Sequence, residues 1–347
     1  MRRIRAVVYG AGAMGLLATR LMHEKGVDVV GAIARSPQKV GRDLGELAGM
    51  RSHLGVTVES DAAAVIASRR PDVVMLATQS FLPEIFEQVA LCLRHGVNVV
   101  TIAEEALFPW NSSPALAAEL DALGRAHGAT VTGGGHQDSF WVHMVGNLMG
   151  AAHRIESVSG RANWNADEYG ADVIQSKHVG ETIDQFQAAV AAADAPPTYG
   201  RNLLGALANM GGFTPRSYES SVSPIVVDEP RPSKSIGKTF PPGVVIGYSD
   251  VDVMHTQEGV TFRFEMSGYV YGEGETDTNE WTISGEPELH LSNGDVPSFT
   301  TTCSQWVNRI PDVMNARPGL VTVDELPPLR YRAMPLHQYV TARGLER

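Results

Sequence analysis

Over the first third of the chain, short apolar runs alternate with helical spacings. Ile4–Tyr9, Val27–Ala34, Asp72–Ala77 (DVVMLA), Asn98–Ala103 (NVVTIA) and Ala129–Thr132 read as buried strands, and Val56–Val58 as a short one. Between them lie helix patterns at Gly15–Lys25, with Leu16, Leu17, Leu21 and Met22 on one face, at Asp61–Ser68, at about Leu82–Arg94 and at Ser113–His127. Continuously apolar strands separated by helices predict a parallel sheet covered on both faces. Six of them in this rhythm predict a doubly wound α/β fold.

The rhythm changes after Gly133-Gly134-Gly135. A helix is expected from Gln137 to about Ala152, then a strand at Arg154–Asn163. An amphipathic helix follows at Ser176–Ala193, where Val179, Ile183, Phe186 and Val190 recur at helical spacing. The proline-rich stretch Ser221–Gly243 reads as a long excursion. Val260, Phe262, Phe264 and Met266 then alternate with Thr261, Arg263 and Glu265, which predicts a strand with one buried face. Trp281–Ile283 and Glu288–Leu291 extend that sheet. With no helices between them, these strands predict a mostly antiparallel sheet in an α+β domain. A last helix at about Thr301–Ala316 leads into a proline-rich tail.

Length and composition narrow the function. A chain of 347 residues favours two domains. Its net charge of −11 argues against nucleic acid or an anionic membrane as partner, since both require basic surface. Cys92 and Cys303 match no metal spacing, and no metal site is expected. Two isolated cysteines, no apolar signal core and no membrane-length segment predict a cytoplasmic protein.

The candidate chemistry begins at Gly10-Ala11-Gly12-Ala13-Met14-Gly15, a GxGxxG turn that follows a strand and opens a helix. Gly10 allows the tight turn, Gly12 lets a pyrophosphate approach the backbone, and Gly15 lets the helix pack on its strand. The helix N-terminus presents N–H groups and a positive dipole end to the phosphates. Residues 1–135 are therefore expected to bind a dinucleotide, residues 136–300 to form a substrate-binding and dimerisation domain, and about 301–347 to pack back on the first. At the end of the second strand, where an acid would select NAD, the chain reads Ala34-Arg35-Ser36-Pro37-Gln38-Lys39. Arg35, Ser36 and Lys39 can meet a 2′-phosphate, so NADP is expected to be preferred, with NAD also accepted.

In an open α/β sheet, chemistry sits beyond the carboxyl ends of the strands. Thr78-Gln79-Ser80 ends the fourth strand, where Thr78 and Gln79 can touch the nicotinamide ribose. Glu104 and Glu105 follow the fifth. In an extended segment such neighbours point opposite ways, so one is expected to face the cleft. A carboxylate beside a nicotinamide suits carbon–nitrogen chemistry, since it stabilises a cationic iminium and moves protons to and from ammonia. After the sixth strand, His136-Gln137-Asp138-Ser139-Phe140-Trp141-Val142-His143-Met144 could wall an apolar substrate pocket, with Phe140, Trp141 and Met144 as its lining.

The segments VVYGAGAMG, VGRDLGELAG (Val40–Gly49), NVVTIAEEALFPW (Asn98–Trp110), GGGHQDSFWV (Gly133–Val142) and VNRIPDVMNARPGLVTVDELP (Val307–Pro327) span most of the chain. In them the chain resembles the dihydrodipicolinate-reductase-like dehydrogenases, and within these the 2,4-diaminopentanoate dehydrogenases and related native amine dehydrogenases. The resemblance implies NAD(P)H-dependent reductive amination of small ketones or aldehydes with ammonia, and the reverse deamination, in a homodimer built on the C-terminal sheet. It implies Glu104 as the catalytic carboxylate, Phe140 and Trp141 in the pocket, and Asn308 near the nicotinamide. GGGHQDSFW departs from the GxGxNPG-like turn of the diaminopentanoate enzymes and favours the amine dehydrogenase branch. The dicarboxylate-binding run of the lysine-pathway reductase is absent. Arg154 and Arg161 are the only Arg or Lys between His136 and Gln175, so a substrate without a carboxylate is expected. The alternatives are a 2,4-diaminopentanoate or amino-acid dehydrogenase and a non-catalytic NADP-binding sensor.

Overall fold

The computed structural model describes residues 2–192 and 199–345 and divides the chain into two compact units, Met1–His143 with Thr300–Arg347, and Met144–Phe299. In the first unit the strands are β1 (Arg5–Tyr9), β2 (Asp28–Ile33), β3 (Val58–Glu59), β4 (Val73–Leu76), β5 (Asn98–Thr101) and β6 (Thr130–Gly133). A short strand, Gly319–Leu320, adds beside β6, giving the order (319–320)-β6-β5-β4-β1-β2-β3 with every pairing parallel. β4, β5 and β6 are buried at every residue, which is why they read as unbroken apolar runs.

Two apolar layers flank the sheet. The helix Leu82–Arg94 contributes Leu82, Ile85, Phe86, Val89, Ala90 and Leu93 to one of them. Full burial of such a side chain is worth about 1.5–3 kcal/mol. On the other face lie Met22 of the helix Ala13–Glu24 and Trp306, Val307, Ile310, Val313 and Met314 from the end of the chain. Trp306 is fully buried and donates Nε1–H to the Val100 carbonyl of β5 at 2.9 Å. The expected helix at Thr301–Ala316 is two, Ser298–Asn308 and Ile310–Asn315, with Pro311 in the first turn of the second, where its missing N–H costs nothing.

The second unit holds a six-stranded sheet. Its strands are β7 (Arg154–Asn165), β8 (Pro215–Val226), β11 (Val245–Thr256), β12 (Thr261–Tyr269), β13 (Thr278–Glu286) and β14 (Leu289–Gly294). β9 (Arg231–Ser233) and β10 (Lys238–Phe240) form a separate hairpin. The order β14-β13-β7-β12-β11-β8 is antiparallel except for the β7–β12 pair, which is parallel. Phe262, Phe264 and Met266 are buried on one face, Phe264 stacked on Trp281, while Thr261, Arg263 and Glu265 are half-buried on the other.

Four expectations change here. The helix expected from Gln137 opens as a π-helical turn, Asp138–His143, before a short α-helix, Met144–Met149. The helix expected at Ser176–Ala193 is split into Ala171–Ser176 and Ile183–Ala192, and Ala193 lies outside the described residues. His178 and Gly180 have φ of 57° and 93°, which stop the first segment. Thr182 and Gln185 then exchange side-chain-to-backbone hydrogen bonds, a capping box that starts the second. Ser221–Val226 is no excursion but the end of β8, an edge strand, where Pro224 needs no partner for an N–H it lacks. The C-terminal helix divides as described above.

Candidate active site

The glycine turn is built for packing at two positions and open at the third. Gly10 has φ +111°, and a Cβ there would stand 2.2 Å from the Ala77 carbonyl oxygen. A Cβ on Gly15 would stand 2.0 Å from the Gly10 carbonyl oxygen. A Cβ on Gly12 would meet nothing within 4 Å. Gly12 caps the helix Ala13–Glu24 with no side-chain hydrogen bond, Ala13 is exposed, and no acid lies in the first turn. Open space over uncapped N–H groups at the positive end of a helix fits a pyrophosphate.

At the end of β2, Arg35 is exposed and the Ser36 hydroxyl donates to Gln38 Oε1 at 2.7 Å. The Lys39 ammonium donates to the Ala11 carbonyl at 2.8 Å, which brings this loop onto the glycine turn. Asp43 anchors the segment behind it by accepting from the backbone N–H groups of Glu46, Leu54, Gly55 and Val56. Burial alone would raise the Asp43 pKa, but these donors outweigh it and hold the carboxyl below its ordinary value.

Beyond β4, the half-buried Thr78 donates its hydroxyl to Gln88 Oε1 at 2.6 Å, and Gln79 is exposed. Beyond β5 the chain turns as a 3₁₀ helix, Glu104–Leu107, rather than running extended. Successive side chains of a 3₁₀ turn diverge by a third of a turn, so the two acids still separate. Glu105 is buried and accepts from the Leu82 backbone N–H at 2.5 Å and from the hydroxyls of Ser112 and Ser113 at 2.7 and 2.6 Å. It thereby closes the N-terminus of the helix Leu82–Arg94. Glu104 is half-buried at the lip of the sheet. Gly133, ending β6, lets this turn pack closely, since a Cβ there would stand 2.4 Å from the Ala106 carbonyl carbon.

After β6 the side chains interlock with those at the chain's end. The His136 ring stacks on Phe140 with centroids 4.5 Å apart, meets Trp141 edge-on, and bonds through Nδ1 to Thr301 Oγ1 at 2.9 Å. Burial pushes His136 down to about 4, so the ring is neutral near pH 7. Phe140 is half-buried and Trp141 is 5% exposed, while Met144 begins the second unit. Asn308 is half-buried and its Oδ1 has no hydrogen-bond partner among the described residues, so it can accept an N–H from a bound carboxamide. Sequence reasoning did not single out Asp138 and Arg309, both fully buried and joined by two hydrogen bonds. The available signal was a charge of each sign in the two motifs GGGHQDSFWV and VNRIPDVMNARPGLVTVDELP. Among the described residues, no group of three or more His, Cys, Asp or Glu could hold a metal ion, and no helix is long and apolar enough to cross a membrane.

A doubly wound parallel sheet with an open glycine turn at its first crossover, and a carboxylate beyond its fifth strand, defines an NAD(P)-dependent dehydrogenase. Residues 141–339 match the 2,4-diaminopentanoate dehydrogenase C-terminal domain, and residues 4–102 match the N-terminus of dihydrodipicolinate reductase. The chain belongs to the family of 2,4-diaminopentanoate dehydrogenases and related amine dehydrogenases, as its motifs implied. The amine dehydrogenase of Mycobacterium smegmatis is 52% identical, with a TM-score of 0.93 over 96% of this chain and 98% of that one. A 2,4-diaminopentanoate dehydrogenase of Acetoanaerobium sticklandii is 27% identical over 343 residues, 94% of each chain. GenD2 from gentamicin A biosynthesis, solved in complex with NAD, shares the fold at 17% identity, with a TM-score of 0.60 over 94% of this chain and 90% of that one.

Proposed function

We propose that the chain is an NADP-preferring amine dehydrogenase that converts small ketones or aldehydes and ammonia to primary amines, and works in reverse as an oxidative deaminase. The observation that carries this reading is the division of labour in Glu104-Glu105. Glu105 closes a helix, while Glu104, half-buried in the same 3₁₀ turn, lies beyond the carboxyl end of β5, where chemistry sits in an open α/β sheet. When bound, the dinucleotide supplies or accepts the hydride. Gly10–Gly15 would hold its pyrophosphate, Arg35, Ser36 and Lys39 its 2′-phosphate, Thr78 and Gln79 the ribose of its nicotinamide half, and Asn308 its carboxamide. Glu104 takes a proton from the ammonium as nitrogen adds to the carbonyl carbon and returns one as water leaves. Its negative charge then stabilises the iminium. Phe140 and Trp141 would wall the substrate's apolar part.

Cation placement supports a substrate without a carboxylate. Arg161 is paired with Glu280, Arg154 lies near Glu156 and Glu286, and Arg309 is buried against Asp138. A substrate carboxylate would need a cation not already engaged in this way. On the outer face of the six-stranded sheet, Ser157, Ser159, Thr261, Ser249, Ser267 and Thr282 present short polar side chains in register. That surface would carry the homodimer, and the cytoplasm is the proposed compartment.

NADPH oxidation over a panel of small ketones, with and without ammonium, tests the function. Ammonium-dependent oxidation is the expected result; its absence with every ketone would leave an NADP-binding sensor. Activity confined to carboxylate-bearing or diamine substrates would favour an amino-acid or 2,4-diaminopentanoate dehydrogenase, the latter a relative similar along nearly the whole chain. Arg35→Ala is expected to raise KM for NADPH about tenfold or more, the size of one charge-assisted hydrogen bond, with little change for NADH. Equal effects on the two cofactors would remove the NADP assignment.

A further inference from the structure

We infer that the buried Asp138–Arg309 pair is a positioning clamp, which sets the Phe140–Trp141 turn against the segment carrying Asn308 and thereby governs how the carbonyl substrate meets the nicotinamide end rather than how the dinucleotide's phosphates are held. This rests on the proposed function for the identity of the substrate.

Both side chains are fully buried. The guanidinium meets the carboxylate fork to fork, Nε to Oδ2 at 2.8 Å and Nη2 to Oδ1 at 2.6 Å. Its remaining nitrogen, Nη1, donates to the Pro327 carbonyl at 2.7 Å and to Asp312 Oδ2 at 3.3 Å. Asp312 in turn accepts from Arg332 at 2.7 Å. Every arm of the guanidinium is therefore used, and two parallel bonds fix orientation as well as distance. Desolvating two ions is costly, and a well-packed apolar pair of similar volume is commonly as stable or more so. Stability alone therefore gives little reason to keep this pair, whereas apolar contacts would not impose the same geometry.

The clamp joins two places that matter. Asp138 is the first residue of the π-helical turn, and Phe140 and Trp141 follow within that turn. A π turn is uncommon, recurs at functional sites, and holds only where its surroundings determine it. Here those surroundings include the Gln305 side chain, which accepts from the Ser139 N–H at 3.0 Å, and Thr301 on His136. Arg309 directly follows Asn308 in the chain. One ion pair, spanning 171 positions, thus aligns the aromatic turn with the segment proposed to meet the nicotinamide end. The glycine turn is not among the contacts of this network.

The test compares the full-length parent with Arg309→Lys, Asp138→Asn and the double variant Asp138→Leu/Arg309→Met, which removes both charges and leaves neither ion stranded. Three quantities are read: NADPH affinity by fluorescence, kcat and KM for ketones of increasing size with ammonium, and hydrogen–deuterium exchange of peptides covering residues 136–145. NADPH affinity is expected to stay within about threefold of the parent. Ketone turnover is expected to fall about ten- to hundredfold, with an altered size preference, as misplacement of a pocket wall produces. Exchange in the 136–145 peptides should speed up. A folded double variant with the parent's kcat and size preference would overturn the clamp. So would unchanged exchange at 136–145, a readout that holds even if the parent aminates no ketone and the functional reading itself fails.

Discussion

Glu104→Gln is expected to lower kcat for ketone amination about a thousandfold, within the usual range for a general acid–base group, while leaving NADPH affinity nearly intact. Glutamine keeps the size and the hydrogen-bonding carbonyl but can neither take a proton nor oppose the charge of an iminium. Glu105→Gln is expected to fail differently. Its carboxylate is buried against the Leu82 N–H and the Ser112 and Ser113 hydroxyls, so an amide there sets an N–H against existing donors. That should cost about 1–3 kcal/mol of stability and lower the melting temperature by several degrees. Activity per folded molecule should largely survive. Stopped-flow NADPH oxidation and thermal melts on both variants separate the roles. Full amination activity in Glu104→Gln would end its assignment, and loss of turnover only in Glu105→Gln would move the chemistry by one residue.

How far the sequence exposed this arrangement depended on how local each cause was. The helix near Leu82–Arg94 was legible because its buried positions recur largely at intervals of three and four over three turns. β4 and β5 were legible because burial on both faces leaves no polar position to confuse the pattern. The break at His178–Gly180 was harder to see, since Val179 sits in helical register with Ile183 although the backbone between them leaves the helix. The T-x-x-Q capping signal at Thr182–Gln185 marked the true start. Edge strand β8 was hidden by its serines and Pro224, because a strand paired on one side and largely exposed needs no apolar alternation.

In the site, the glycine turn and the two acids were visible as motifs, but that Glu105 closes a helix was not. That depended on Leu82, Ser112 and Ser113, and Leu82 lies 23 positions from Glu105. The π turn was invisible for the same reason. Local spacing from Gln137 to about Ala152 reads as α-helix, and Asp138 finds its partner 171 positions away. Periodicity reports a residue's neighbours along the chain, and a buried ion pair is a fact about distant segments.

Gly12→Val is expected to weaken NADPH binding about a hundredfold or more without unfolding the protein. Gly12 sits at φ −80° and ψ −171°, extended backbone that any residue adopts, so valine meets no conformational penalty there. A Cβ at this position has nothing within 4 Å, so the fold itself gives no reason for glycine. The reason that remains is a ligand, since added methyl groups would fill the space over the helix N-terminus where a pyrophosphate must come close to the backbone. Blocking that approach removes several hydrogen bonds to a charged group, each worth about 1.5–3 kcal/mol. Gly10→Ala and Gly15→Ala should behave oppositely. Their Cβ atoms would stand 2.2 Å from the Ala77 carbonyl oxygen and 2.0 Å from the Gly10 carbonyl oxygen, and Gly10 also has φ +111°. Overpacking and backbone strain of this kind cost about 1–3 kcal/mol each, so these variants should lose stability before any binding defect can be read. Circular dichroism melts together with NADPH titration distinguish the two classes. A Gly12→Val protein that is folded and binds NADPH as tightly as the parent would show that the phosphates do not pass over this turn, and with that the placement of the nicotinamide near Glu104 would fall too.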